Sequence, residues 1–242
     1  MKLQNAPIKE AVFDIRIDKI NIQKPEELLK IRDFLSGNFP ELKNIHKVHG
    51  TIQLKDGISI KSDTKSDLNG FSFISKDKSK QIQVRLDGFT LNVLKPYESW
   101  ETHFSEFIVH WETYSKLFAP NKILRIATRF INRIEIPIPF TRFEDYLNVV
   151  PAIPKSLPKS IKNFFLQVQV PCDDGYREAI LTQAIEPRNN NTLPVIIDID
   201  VFQELGLTND LEKLTTNFNE IRKIKNKIFI DCISEKTLNQ YL

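Results

Sequence analysis

Glycine is scarce in this chain, with only 7 in 242 residues and no cluster among them. A loop that cradles phosphate needs closely spaced glycines to expose its backbone N–H groups, so that class of nucleotide site is excluded. Cysteine is scarcer still. Cys172 and Cys232 lie far apart, with no short metal-type spacing and too few thiols for a disulfide scaffold, which points to a reducing cytoplasm. No stretch approaches the ~18 uninterrupted apolar residues of a membrane span. The opening Met1-Lys2-Leu3-Gln4-Asn5-Ala6-Pro7 lacks the apolar core of a signal peptide. A cytoplasmic protein without a membrane partner is expected. Charge of one sign is also missing: 34 basic against 31 acidic residues leave +3, so a nucleic-acid footprint would have to be local. There is no Gly-x-Ser-x-Gly elbow, and the carboxylates of Asp173 and Asp174 beside Cys172 disfavour a thiolate. No catalytic residue, cofactor or metal is implied.

What is present is an ordinary globular composition, 41% hydrophobic and 10% aromatic, with 27% charged residues interspersed rather than in blocks. Trp100, Phe104, Phe107, Trp111, Tyr114 and Phe118 recur at alternating spacings of four and three, one apolar stripe down a helix over 99–118. From about 210 a second long helix carries Leu211, Leu214, Phe218, Ile221 and Ile228, with Lys225 breaking the stripe. A sheet is the natural surface for the first stripe, while the second can pack on its own sheet or on another protein. Period-2 alternation predicts strands at 11–17, 70–75, 80–86, 89–94, 123–136, 163–170, 178–185 and 195–201. Asp87-Gly88 marks a hairpin, and Asp77-Lys78-Ser79 and Asp173-Asp174-Gly175 read as turns. Shorter helices are expected at 25–36 and 142–149, an extended connector at 151–158, a further strand near 48–54 and a polar loop over 62–69.

These elements come in the same order twice. The expected class is α+β with two similar halves, 1–120 and 121–242, as two units or one continuous domain. Each half is an antiparallel sheet packed by a long helix. With the strand near 48–54 included, the order is that of the helix-on-sheet unit of TATA-binding-protein-like folds, a likeness of fold that carries no function.

Polarity is organised in one place. On the strand over 123–136, Arg125, Arg129 and Arg133 share a face, while Leu124, Ile126, Phe130 and Ile134 take the other with Thr128 and Asn132. Three guanidinium groups in a row are suited to grip phosphates or carboxylates bidentately. The alternative is a solvated face with each arginine paired to an acid on the next strand. Asn132, on the apolar side, needs a hydrogen-bond partner. Asp198 and Asp200 also share a strand face, either as a cation site or as partners of the arginine row. His46 and His49 lack further ligands nearby. His103 and His110 lie seven apart, two helical turns or ~10.5 Å, too far to chelate one ion. Arg222, Lys223, Lys225 and Lys227 form a basic cluster diluted by Glu212, Glu220 and Asp231.

Two segments carry a family resemblance. Asn5-Ala-Pro-Ile-Lys-Glu-Ala11 and Arg125-Ile-Ala-Thr-Arg-Phe-Ile-Asn-Arg-Ile-Glu-Ile-Pro137 resemble a family of sporadically distributed bacterial proteins of about this length. The short helix ending near Tyr146-Leu147 and the final Asp231-Cys-Ile-Ser234 look similar to it as well. Arg125, Arg129, Asn132 and Arg133 stand where the family pattern places them. The family has no assigned catalytic residues to carry over, and its distribution implies horizontally exchanged genes, as in defence or toxin–antitoxin modules. The expected function is a non-enzymatic binding or regulatory protein that takes a small anionic ligand or an acidic protein partner at Arg125, Arg129, Asn132 and Arg133. One alternative is a metal-dependent enzyme on a phosphate-containing substrate, with the same arginines as clamps and Asp198 and Asp200 holding the ion. Another is nucleic-acid binding through the final helix and the arginine row.

Overall fold

The computed structural model describes residues 3–18, 20–55, 58–157, 161–172, 175–189, 191–207 and 210–242, with the backbone alone at 49–55, 58–65, 205 and 207. Nine antiparallel strands form one sheet in the order β2-β3-β4-β5-β1-β6-β9-β8-β7. The strands are β1 (Ile8–Ile17), β2 (Glu41–Lys55), β3 (Ile58–Ile74), β4 (Lys80–Arg85), β5 (Gly88–Leu94), β6 (Ile123–Pro137), β7 (Phe165–Pro171), β8 (Arg177–Ile185) and β9 (Thr192–Leu207). Two separate sheets were expected. Instead β1 pairs with β5 on one side and β6 on the other, in register from Glu10↔Ile131 to Arg16↔Arg125. Both central strands therefore have their backbone groups satisfied on both flanks, which leaves no edge in the middle.

Two long helices, α2 (Trp100–Phe118) and α3 (Leu211–Cys232), lie on one face; the short α1 (Arg32–Leu35) and α4 (Glu235–Leu238) complete the set. Ser99 caps α2 by accepting from the Thr102 N–H, and Asp210 caps α3 by accepting from Glu212 and Lys213. All six aromatics of the α2 stripe are buried. They pack on this chain's own sheet, Phe107 stacking on Phe13 at 5.5 Å between centroids, and against α3, where Phe218 meets Phe104 at 5.3 Å.

Other expectations shift. Residues 62–69 belong to strand β3, paired from Ser62↔Ile52 onward with β2: a polar stretch forms a strand here because backbone pairing needs no apolar side chains. At 142–149 only a 3-10 turn, Phe143–Asp145, forms before Leu147 bridges to Ile233. The helix at 25–36 is a 3-10 segment, Pro25–Ile31, running into α1. Lys78 turns at φ 59° as the Asp77-Lys78-Ser79 reading required. The turn at Asp173-Asp174 and the connector's end at 158 lie outside the described residues. No helix is long and apolar enough to cross a membrane among the described residues.

Candidate functional site

The sheet has two very different faces where β1 and β6 cross its centre. On the open face, away from the helices, the arginine row stands among acids. Arg125 donates to Asp200 at 3.3 Å and lies 3.7 Å from Asp14. Arg129 takes Asp198 with its Nε at 2.9 and 3.0 Å and with Nη2. Arg133 donates to Glu186 at 2.7 Å and contacts Glu135. Each guanidinium is thus opposed by a carboxylate on its own or a nearby strand, which offsets the charge a ligand would meet.

Beside the row lies a pair that the sequence reading did not single out. Arg85 donates to Asp14 at 2.9 Å, and Thr90 bridges the two; Arg85 and Asp14 are 5% and 7% exposed. Burial pushes the Asp14 carboxyl up, but the charges of Arg85 and Arg16 and the hydrogen bonds from Thr90 and Arg85 outweigh it and hold it below its usual value. Asp200 goes the other way: burial, joined by the charges of Asp198 and Asp14, lifts it against the pull of Arg125 and Arg129. These groups surround a depression of about 250 Å³. Asp200 reaches it, while Asp198 and Arg133 do not line it. Among the described residues no three His, Cys, Asp or Glu side chains converge as a metal set.

Asn132 is on the helix face, separated from the arginines by the sheet itself. It is 4% exposed, and its Nδ2 donates to the carbonyls of Phe130 at 3.2 Å and Ile197 at 3.1 Å. There it lines a cavity of about 470 Å³ between the start of α2, the last turns of α3 and the segment leading into β1. Trp100, Phe130, Phe229 and Pro7 give it an apolar, aromatic side, and Glu98, Ser99, Glu101, Arg222 and Asn226 line much of the rest.

Into this cavity comes Lys225. It lies on the buried stripe of α3 with Phe218, Ile221 and Phe229, only 8% exposed. Its ammonium sits 3.7 Å from the centroid of the Phe130 ring, a cation–π contact. No carboxylate among the described residues lies within ion-pairing distance of it. Burial drives the amine down from 10.5 to about 7, and the neighbouring Arg222 charge adds to the fall. Arg222 itself is engaged by Glu101 at 2.8 Å and covers the Trp100 ring. Ser99, Trp100 and Glu101, the first residues of α2, also line the cavity, so the positive end of that 19-residue helix faces the same space.

The remaining candidates take structural places. His103, 1% exposed, accepts the Glu98 N–H through Nε2 at 3.1 Å and packs on Tyr97, while His110 stands edge-on to Phe39. His46 is exposed, and the side chain of His49 lies outside the described residues. The basic cluster of α3 disperses: Lys223 pairs with Glu220, Arg222 with Glu101, Lys225 points inward and Lys227 outward. Cys232 is buried, its thiol pushed up to about 12 by burial and the Asp231 charge.

The signal for this site was legible as an interruption. Lys225 occupies the place in the α3 stripe where an apolar residue belongs, and a helix does not turn one stripe position outward alone. The chain matches no protein-family model, and no functionally curated protein is similar to it in sequence.

Proposed function

We propose that this protein binds a small organic anion in the cavity between α2 and α3, as a non-enzymatic binding or regulatory protein. The observation that carries this reading is Lys225: a buried amine opening on a cavity, with no carboxylate within ion-pairing distance among the described residues. A desolvated ammonium lacking a counter-charge costs stability, and an anionic group from a ligand supplies what the fold withholds. The ligand's chemistry follows from the walls. It carries an acidic group for Lys225 and the start of α2, a hydrogen-bond donor for the Asn132 Oδ1, and a flat apolar body for Trp100, Phe130 and Phe229. Aromatic walls beside converging polar groups are the usual make-up of a small-molecule site.

The strand order supports reading the chain as two related halves, β1, β5, β4, β3 with α2 and β6, β9, β8, β7 with α3, in TATA-binding-protein-like element order, with the cavity at their junction. Membership of the sporadically distributed bacterial family is part of the same proposal. Residues 5–11 lead into β1 and the central motif lies on its neighbour β6, and both reach the cavity through Pro7, Ile8, Phe130 and Asn132. The family's other segments meet where Leu147 bridges Ile233.

The test is titration with an aromatic sulfonate probe, anilinonaphthalene sulfonate, followed by its own fluorescence and that of the two tryptophans, Trp100 and Trp111. One-to-one binding, weakened about tenfold or more in Lys225→Met (roughly 1.4 kcal/mol) while the far-ultraviolet dichroism is unchanged, is the expected result. Equal affinity of the two proteins, or no binding by either, sinks the reading.

A further inference from the structure

The two edges of the sheet are guarded unequally. Strand β2, at one edge, carries Glu41, Lys43 and Lys47, with Lys43 and Lys47 exposed, and lysine on an edge strand discourages a second chain from pairing there. Strand β7, at the other edge, reads Phe165-Leu-Gln-Val-Gln-Val-Pro171 and has no charge at all. Six of its seven residues are exposed, Phe165 to 70%, Val168 to 39% and Val170 to 45%. Its Gln167 and Gln169 turn back to Thr182 and Glu178 of β8, its one neighbour in the sheet.

The strand is self-complementary when laid antiparallel on itself. A twofold axis through Val168 sets Val168 opposite Val168 and Leu166 opposite Val170, aliphatic pairs on the helix side of the sheet. It sets Gln167 opposite Gln169 on the open side. Alternation forces this division, since residues two apart share a face. Cross-strand pairs of this kind stabilise a sheet, and no like charges oppose one another. On the helix side the pairing also covers Val168 and Val170, whose exposure shows that α3 does not reach them. Pro171, without an N–H, ends the pairing at the strand's own end.

We infer that a second copy of this chain docks along β7, joining the two sheets edge to edge through an isologous strand pair. A twofold contact closes on itself and uses up both free edges. Its small extent makes the association reversible, in the micromolar range.

Residue 168 opposite its own symmetry mate gives a decisive test. Full-length protein is examined by sedimentation velocity over roughly 1 to 200 µM, the range in which a small interface dissociates. Wild type is expected to shift from monomer to dimer with concentration. Val168→Lys and Val168→Glu, each facing its own charge, are expected to remain monomeric over that range, with unchanged far-ultraviolet dichroism. An equal mixture of the two variants is expected to regain the dimer, because lysine then faces glutamate. That recovery also excludes misfolding as the cause of the loss. A wild type that stays monomeric throughout, a dimer that persists in Val168→Lys, or a mixture that fails to associate overturns the inference, as does growth into open-ended oligomers.

Discussion

At the scale of single residues, the Arg85–Asp14 pair and Lys225 are buried ionisable centres of opposite design. Arg85 and Asp14 are buried together and bonded to one another, and each keeps a second partner, Asp87 at 3.2 Å for Arg85 and Arg16 at 2.9 Å for Asp14. Asp14→Ala is expected to lower stability by about 1–3 kcal/mol, the cost of losing its buried charged hydrogen bonds, and the double variant Asp14→Ala/Arg85→Met to lose clearly less than the sum, as a denaturation double-mutant cycle would read. Because the Asp14 carboxyl lies below its usual 3.8 in the folded state, its stabilisation is intact above that pH. It is lost as the pH falls through the folded value. Lys225 is the reverse case. Its folded value of about 7 against 10.5 means that between these limits the unfolded chain holds the extra proton, so its contribution to stability rises with pH across that window. The groups facing it are Arg222 and, around the cavity, Glu98, Glu101 and Tyr97. The stability difference between wild type and Lys225→Met isolates this effect. The variant is expected to be more stable at pH 6 by about 1–3 kcal/mol, with the gap closing towards pH 9 in urea titrations. A gap that does not change with pH would show that the amine is not the group responsible. Anion affinity should fall over the same interval as Lys225 loses its charge.

At the scale of elements, α2 is the keystone of the helix face. Phe107, fully buried, touches Phe13 and Phe89 of the sheet, Phe104 of its own helix and Phe218 of α3. Phe107→Ala therefore leaves a void bordered by three elements that cannot collapse together, and an expected loss of ~3–5 kcal/mol, measurable from the shift in urea midpoint at constant slope. The same stripe was visible in the chain as six aromatics at helical spacing, because a one-dimensional period records a helix face faithfully. Hairpins were visible for an equally local reason. Asp87-Gly88 joins β4 to β5, and a Cβ at Gly88 would meet the Ile15 carbonyl oxygen at 2.2 Å. Elements held by partners rather than by their own pattern were not visible. The polar stretch 62–69 is a strand because β2 pairs with it. Residues 142–149 abandon a helix because Asn148 and Tyr146 spend their backbone groups on Cys232 and Ser234.

At the scale of the whole molecule, the pairing of β1 with β6 makes one sheet and one continuous core from both parts of the chain. Unfolding is expected to be a single cooperative transition, with calorimetric and van't Hoff enthalpies equal. Two resolved transitions would mean that residues 1–120 and 121–242 retain separate stability. A fragment of residues 1–120 would expose the β6 edge of β1 and lose Phe218 from the α2 stripe, so it should show no native-like near-ultraviolet dichroism. The cavity exists only at this level, since its walls come from the segment before β1, from α2, from β6 and from α3.

The sequence by itself determined the α+β class, the antiparallel hairpins, the two amphipathic helices and which residues of β6 share a face. Those properties are set by neighbours within a few residues, through backbone sterics and the periods of helix and strand. Only the tertiary structure decided what the faces meet. Arg125, Arg129 and Arg133 share a strand face, as their spacing requires, yet their charges are offset by Asp198, Asp200 and Glu186 from more than 50 residues away. Lys225 looked like a fault in a helix stripe until the fold closed aromatic walls around it. Charge balance and burial depend on long-range partners, and a linear pattern does not record which partner arrives.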